Sequence, residues 1–468
     1  MLKKYIGTKE FYKMVMLVAL PIMIQNGFTN IVNMVDNVMV GRVGTDAMNG
    51  VSIVNQLLMV YNLSVFGALS GAGIFVSQFF GKGDKEGVKN VFRIKMVISV
   101  FLVLFGVSIL YFGREGLIMS FINDGSEIGD PVKTLAFADS YIKIMLVGLI
   151  PFTVNQCLIS NMRETGETLI PMYAGIAAVI VNICFNYVLI FGKLGFPEMG
   201  VAGAATATVI SRFAECIIVL FIAIRKKERF SYVEGVFKNF RVPVSLTKNV
   251  LSKGIPLMIN EFLWSSGMTM LALSYSTRGL ATVGAVNICN TVTNVFNIVF
   301  IALGSSVAII VGQTLGAGKL QEARDTDNKL IAFSVVSCIF VGIIMVIIAP
   351  FFPEIYNTEE EVKRLARDFI IIMAIMMHFD AYAHAAYFTL RSGGKTGITF
   401  IFDSGYMWLI SVPLALVLAY FTEISAVMLF LCCQLAHMLK AFIGYFFVRS
   451  DIWIVNMVGE KNENNCEN

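Results

Sequence analysis

The chain has 468 residues, 57% hydrophobic and 15% charged, with a formal net charge of +4. An ordinary soluble domain carries about a quarter charged residues, so the composition describes a polytopic membrane protein and not a soluble enzyme; a nucleic-acid reading of its basic loops is the poorer one, because they alternate along the chain as topology signals do. A spanning helix needs about 20 mostly apolar residues. Such runs recur at 14–36, 52–76, 93–112, 136–159, 169–191, 201–223, 251–275, 285–310, 329–351, 367–389, 398–420 and 424–448. They are too long and too continuously apolar for barrel strands, so the expected fold is all-α with twelve transmembrane helices.

The charges between the runs alternate. Lys82, Lys85, Lys89, Arg93 and Lys95 follow the second run, Arg163 the fourth, and Arg225, Lys226, Lys227, Arg229, Lys238, Arg241, Lys248 and Lys253 the sixth. Lys319, Arg324 and Lys329 follow the eighth, Arg391 and Lys395 the tenth. Odd-numbered runs lead into acidic or neutral loops such as Asp124–Asp130 and Glu359–Glu361. The positive-inside rule then predicts a multi-pass protein of the cell membrane with both termini cytoplasmic. The N-terminus lacks a small-residue cleavage site, so the first run is expected to be retained. Eight cysteines form no C-x-x-C pair and imply neither a disulfide framework nor a zinc site. The last residues, G-E-K-N-E-N-N-C-E-N, are polar and expected to be disordered.

The chain repeats itself. Shifted by 235 residues, A-L-P-I-M-I-Q-N falls on G-I-P-L-M-I-N-E, so Pro21 meets Pro256. In the same register Gly44 meets Gly279, Asn55 meets Asn290, Gln78 meets Gln313 and Gly81 meets Gly316. At a shift of 228, R-E-T-G-E-T (163–168) falls on R-S-G-G-K-T (391–396). The reading is a six-helix unit used twice, 1–223 and 251–449, joined by a cytoplasmic linker at 224–250 and followed by a polar tail at 450–468. Six spans per unit give both copies the same orientation. Parallel repeats of this kind place a substrate site between lobes and rock to alternate its access.

A charge at the bilayer centre costs about 2.5–3.5 kcal/mol on insertion scales, so acids within spans need partners or a wet cavity. Asp36, Glu261, Asp380 and Asp403 stand out. Gln25, Thr29, Asn33 and Asp36 fall within an arc of about 80° of the first span, one polar stripe. Asn182 and Asn186 share a face of the fifth span, and the sixth offers Thr206 and Thr208. If these helices share a lobe, they surround Asp36 with neutral amides and hydroxyls, a setting in which a carboxylate takes and releases a proton. The alternative is that Asp36 serves helix packing alone. Arg212 and Glu215, three apart, can neutralise one another. In the second half Leu271 stands where the first has Asp36. Its polar groups lie elsewhere: Glu261 after Asn260, then Asp380, His384 and Tyr387 on one face of the tenth span, and Asp403 opening the eleventh. Such carboxylates can hold a monovalent cation or attract a cationic substrate. His378 and His384 lack ligand-type spacing to Cys or acid, so no metal is expected. Abundant Met and Phe suit a pocket that tolerates many shapes.

The segments P-I-M-I-Q-N…D-N-V-M-V-G-R-V-G, S-Q-F-F-G-K-G-D, N-I-C-F-N-Y-V-L-I-F-G, G-V-A-G-A-A-T-A-T, P-L-M-I-N-E-F-L-W and G-Q-T-L-G-A-G resemble the MATE family of multidrug and toxic compound extrusion transporters, over about residues 10–450. The resemblance implies an antiporter of two six-helix lobes around a V-shaped central cavity, expelling small organic cations in exchange for H⁺ or Na⁺. It needs no cofactor beyond the coupling ion and no partner beyond substrate and lipid bilayer, and is expected to be monomeric. Asp36 matches the family's first-span Asp, Asn182 a family Asn near it, and Thr208 the sixth-span Thr, with Thr206 as alternative. Asn186 falls where some members have Asp. Glu261 and Asp380 match the second-lobe acids of NorM-like members. Gln25, Asn33, His384, Tyr387 and Asp403 are candidate cavity residues. Pro21 and Pro256 free backbone carbonyls within their spans and are candidate hinges. A lipid-linked oligosaccharide flippase of the same superfamily is the alternative, but would want a cationic cavity, whereas the mid-span charges here are mostly acidic.

Overall fold

The structure is a computed structural model and describes residues 4–121, 130–236 and 242–459. Lys238, Arg241, most of the acidic stretch before Asp130 and the last nine residues lie outside the described residues. Among the described residues the architecture is helical. The first six spans are Lys9–Gly41, Thr45–Lys82, Lys85–Phe112, Pro131–Glu164, Leu169–Ile190 and Gly200–Arg225. The seventh to tenth are Val244–Ser276, Leu280–Gly316, Leu320–Ile348 and Glu360–Ser392, followed by Thr396–Phe421 and Ala426–Arg449. Nine of them contain the predicted apolar run whole, and the fifth, ninth and twelfth cover all but one to three of its residues. Eleven are long and apolar enough to cross a membrane. The seventh is as long as the first, but Asn260, Glu261, Ser265 and Ser266 dilute its apolar centre. Most helices outrun the apolar segments because their ends carry polar turns: Asp130, for instance, accepts the backbone N–H groups of Val132 and Lys133 at the start of the fourth span.

The helices gather into two compact units. One holds Ile24–Ala72 and Lys89–Lys248; the other holds Met1–Met23, Gly73–Val88 and Asn249–Asn468. The first span changes unit just after Pro21, and the second changes at Ala72. The first and seventh helices run unbroken through Pro21 and Pro256.

In the unit of Ile24–Ala72 and Lys89–Lys248, the sixth span packs on the fourth and fifth. Contact is close at Gly203, where an added Cβ would stand 2.6 Å from the Leu189 carbonyl oxygen. Residues leaving the sixth span fold back on the R-E-T-G-E-T turn. Phe230, Tyr232 and Val236 are buried there, Tyr232 edges onto Phe92 at 5.1 Å, and Arg229 pairs with Glu167 at 2.5 Å.

In the other unit the tenth span is central, packed by the eighth, ninth and twelfth. Residues 451–458 dock here, where the sequence reading had a polar tail. Trp453 is buried, its indole N–H donating to the Val448 carbonyl, and its backbone lies on Gly393 of the R-S-G-G-K-T turn. Both repeats thus end alike, with the chain returning to the same turn. The eleventh span contains two π-helical stretches, Ile401–Gly405 and Met407–Ser411; such wide turns recur at functional sites.

Candidate functional site

The first of two polar clusters is built on Asp36. The fifth span brings Asn186 to it: the Asn186 Nδ2 donates to Asp36 Oδ1 at 2.5 Å and to Asn182 Oδ1 at 2.9 Å. Asn182 Nδ2 reaches Thr208 Oγ1 at 3.4 Å, and that hydroxyl donates to the Ala204 carbonyl. Asn182 and Asn186 are buried, and Asp36 half-buried. The four residues therefore form one chain from the first span through the fifth to the sixth, with Tyr141 of the fourth beside it. Thr208 is the one that joins; Thr206 bonds its own helix at Ala202.

Other first-span residues go elsewhere. Gln25 accepts from the Arg163 guanidinium at 2.5 Å, at the edge of the R-E-T-G-E-T turn. Thr29 bonds its own helix and, like Asn33, is exposed. Arg212 lays its guanidinium on the Phe152 ring, 4.5 Å from the centroid, with Glu215 among its charged neighbours.

The second cluster belongs to the other unit. Asp403 sits in the first π-helical stretch and is held at both oxygens, by Lys440 Nζ at 2.5 Å and by Asn260 Nδ2 at 2.8 Å. Ser404 closes on Asn260 from the same turn, its hydroxyl donating at 2.8 Å. The Tyr387 hydroxyl donates to Glu261 Oε1 at 3.0 Å, and Asp403 is a charged neighbour of Glu261. Asp380 faces His437 Nδ1 at 3.1 Å. His384 packs among Phe300, Tyr387 and Phe388. Glu261 and Asp380 thus each have their own partner.

Sequence reasoning missed Lys440 and His437, the partners of Asp403 and Asp380. Lys440 carried a readable signal: a lysine inside the twelfth span needs a counter-charge. It also missed Asp327, fully buried and held by the Thr389 hydroxyl at 2.6 Å.

Twelve long helices and buried polar chains that link carboxylates across spans define a multi-pass membrane transporter. The chain belongs to the MatE family, whose model matches residues 21–188 and again 256–441, the two matches beginning 235 residues apart, the offset that aligns Pro21 with Pro256. Membership makes it a multidrug efflux transporter that moves organic substrates across the membrane, and not an enzyme. Among similar proteins, the probable multidrug resistance protein NorM of Halalkalibacterium halodurans is 26% identical over 424 residues, 89% of each chain. That of Thermotoga maritima is 28% identical, over 89% of this chain and 87% of the relative. A MOP-superfamily transporter from Pyrococcus furiosus has the same fold, with TM-score 0.84 and 18% identity over 94% of this chain and 95% of that one. So does a variant of the Vibrio cholerae MATE transporter VcmN, with TM-score 0.84 and 17% identity over 95% and 98%.

Proposed function

We propose that this protein is a secondary antiporter of the cell membrane that exports flat, apolar organic cations in exchange for H⁺ or Na⁺. The observation that carries the reading is the Asp36 carboxylate, placed within a span and bonded by the neutral amide of Asn186. An anion so placed is costly unless a cation or proton joins it. A monovalent ion at Asp36, with oxygens from Asn182, Asn186 and Thr208 nearby, meets that need and is released when exposure changes. The multidrug-resistance names of the relatives support the cargo class.

The two six-helix halves are the moving lobes, Glu261 and Asp380 are second-half acids that attract cargo or ion, and Pro21 and Pro256 let their helices bend. Both termini face the cytoplasm, and the monomer is the working unit. A coupling ion shifts the two access states only by its differential affinity for them, so binding at Asp36 favours the release state. The test is ethidium accumulation in bacteria stripped of their own efflux pumps. Cells making this protein should hold less dye than empty-vector cells, and Asp36→Asn at equal membrane level should erase the difference. Equal accumulation with wild type and empty vector would remove the efflux reading.

A further inference from the structure

The Lys440 ammonium sits where a cationic cargo would be at home. Two things recognise an organic cation in a membrane protein: a carboxylate for its charge and an aromatic face for its apolar body. Lys440 Nζ has both. It lies 2.5 Å from Asp403 Oδ1 and 5.5 Å from the centroid of the Phe402 ring, on the adjacent residue of the same π-helical stretch.

The seat is built independently of the lysine. Asn260, fully buried, fixes the other carboxylate oxygen of Asp403 at 2.8 Å and is itself pinned by the Ser404 hydroxyl and backbone N–H. Phe402 is buried and its ring edges onto Phe447 at 6.1 Å. The carboxylate and the ring are therefore preorganised by the seventh, eleventh and twelfth spans. The lysine, on a flexible four-carbon stem, is the mobile component. Nor is the pair sealed: the side chains of Lys440 and Asp403 keep 16% and 14% of their surface exposed. The first half has no counterpart of the Asp403 carboxylate. The position matching Asp403 is Gly175, which lies against Gln25, the residue matching Asn260.

We propose that Lys440 is a tethered competitor for cargo. Its ammonium occupies the carboxylate-and-ring seat of Asp403 and Phe402, and an organic cation binds there by displacing it. The lysine weakens cargo binding and returns to the seat when cargo leaves, which favours release. It also sets specificity: a cation must carry enough apolar surface to out-compete a primary ammonium. This rests on the organic-cation reading above and adds a specificity-determining residue to it.

The experiment is equilibrium titration of purified full-length protein with ethidium, read by fluorescence anisotropy, without any ion gradient. Lys440→Gln should bind the dye about tenfold more tightly than wild type, because a competing like charge is gone. Lys440→Arg, which keeps the cation, should bind as wild type does. Lys440→Gln with Asp403→Asn should lose the gain. n-Propylammonium should compete with the dye in Lys440→Gln at concentrations that leave wild type unaffected. Lys440→Met, which keeps the volume of the stem, replaces Lys440→Gln if the latter is not monodisperse. Affinity in the neutral variants equal to or weaker than wild type, in folded protein, overturns the proposal. If wild type binds the dye and transports it yet Lys440→Gln shows no gain, only this proposal falls. Absence of binding in every form removes the organic-cation reading as well.

Discussion

Gly81 and Gly316, equivalent positions of the two repeats, lie against each other's helices. A Cβ on Gly81 would run into the Gln313 carbonyl, and one on Gly316 into the Gln78 carbonyl, so the second and eighth spans cross in backbone contact. Small residues permit such approach in membranes. Gly81→Ala or Gly316→Ala should each destabilise by about 1–3 kcal/mol through overpacking. Gly27→Ala, where nothing lies within 4 Å of the added methyl, should change stability by less than about 1 kcal/mol and in the favourable direction. Thermal unfolding midpoints in one detergent compare the three; equal shifts would contradict the crossing.

The amide of Asn186 bridges Asp36 and Asn182. A hydrogen bond to a charged group contributes about 1.5–3 kcal/mol. Asn186→Leu should therefore slow ion-driven efflux about tenfold or more without lowering the amount of folded protein. Initial rates of dye efflux, normalised to monodisperse protein on size exclusion, give the comparison. An unchanged rate would detach Asn186 from the coupling role proposed for Asp36.

Lys95 is fully buried and bonds both Glu164 and the Ser160 hydroxyl. Removing one partner of a buried pair strands the other charge, at a cost of about 3–5 kcal/mol. Lys95→Met alone should lower the unfolding midpoint strongly, while Lys95→Met with Glu164→Met should recover most of the loss. A double variant as unstable as the single one would show that the pair contributes more than mutual neutralisation.

Residues 451–458 hold the C-terminal end of the second span. The fully buried Gln78 side chain donates to the Ser392 and Val455 carbonyls at 3.0 and 3.1 Å and accepts from the Met457 N–H at 2.7 Å; Lys82 donates to the Val458 carbonyl at 2.9 Å. Trp453→Ala should destabilise by about 3–5 kcal/mol, the usual cost of emptying a buried aromatic site. Limited proteolysis should then clip the chain after Ser450, where wild type resists. Equal protease resistance would mean the segment holds without its tryptophan.

The helices were legible because an apolar run of spanning length has few alternatives in a bilayer, and the duplication because glycine and proline spacing survives sequence divergence. The chain Asp36–Asn186–Asn182–Thr208 was also readable, since helical spacing puts the two asparagines on one face and a mid-span carboxylate demands polar company. The partners in the second half were not. Lys440 meets Asp403, and His437 meets Asp380, across helices whose mutual rotation no single sequence fixes. Trp453 was hidden for another reason: the eight residues after Ser450, six of them apolar, are too few to signal by periodicity, and their docking depends on the bare backbone at Gly393.

The proposed coupling of ion movement to cation export runs through Asp36. It is tested most directly with purified protein in liposomes, following ethidium under an imposed pH gradient and, separately, an imposed sodium gradient. The comparison is wild type against Asp36→Asn and Glu261→Gln. One of the two gradients should drive dye movement in wild type, and Asp36→Asn should abolish it. Gradient-driven transport that survives Asp36→Asn and is lost in Glu261→Gln would contradict this role of Asp36 and move the coupling site to the second half.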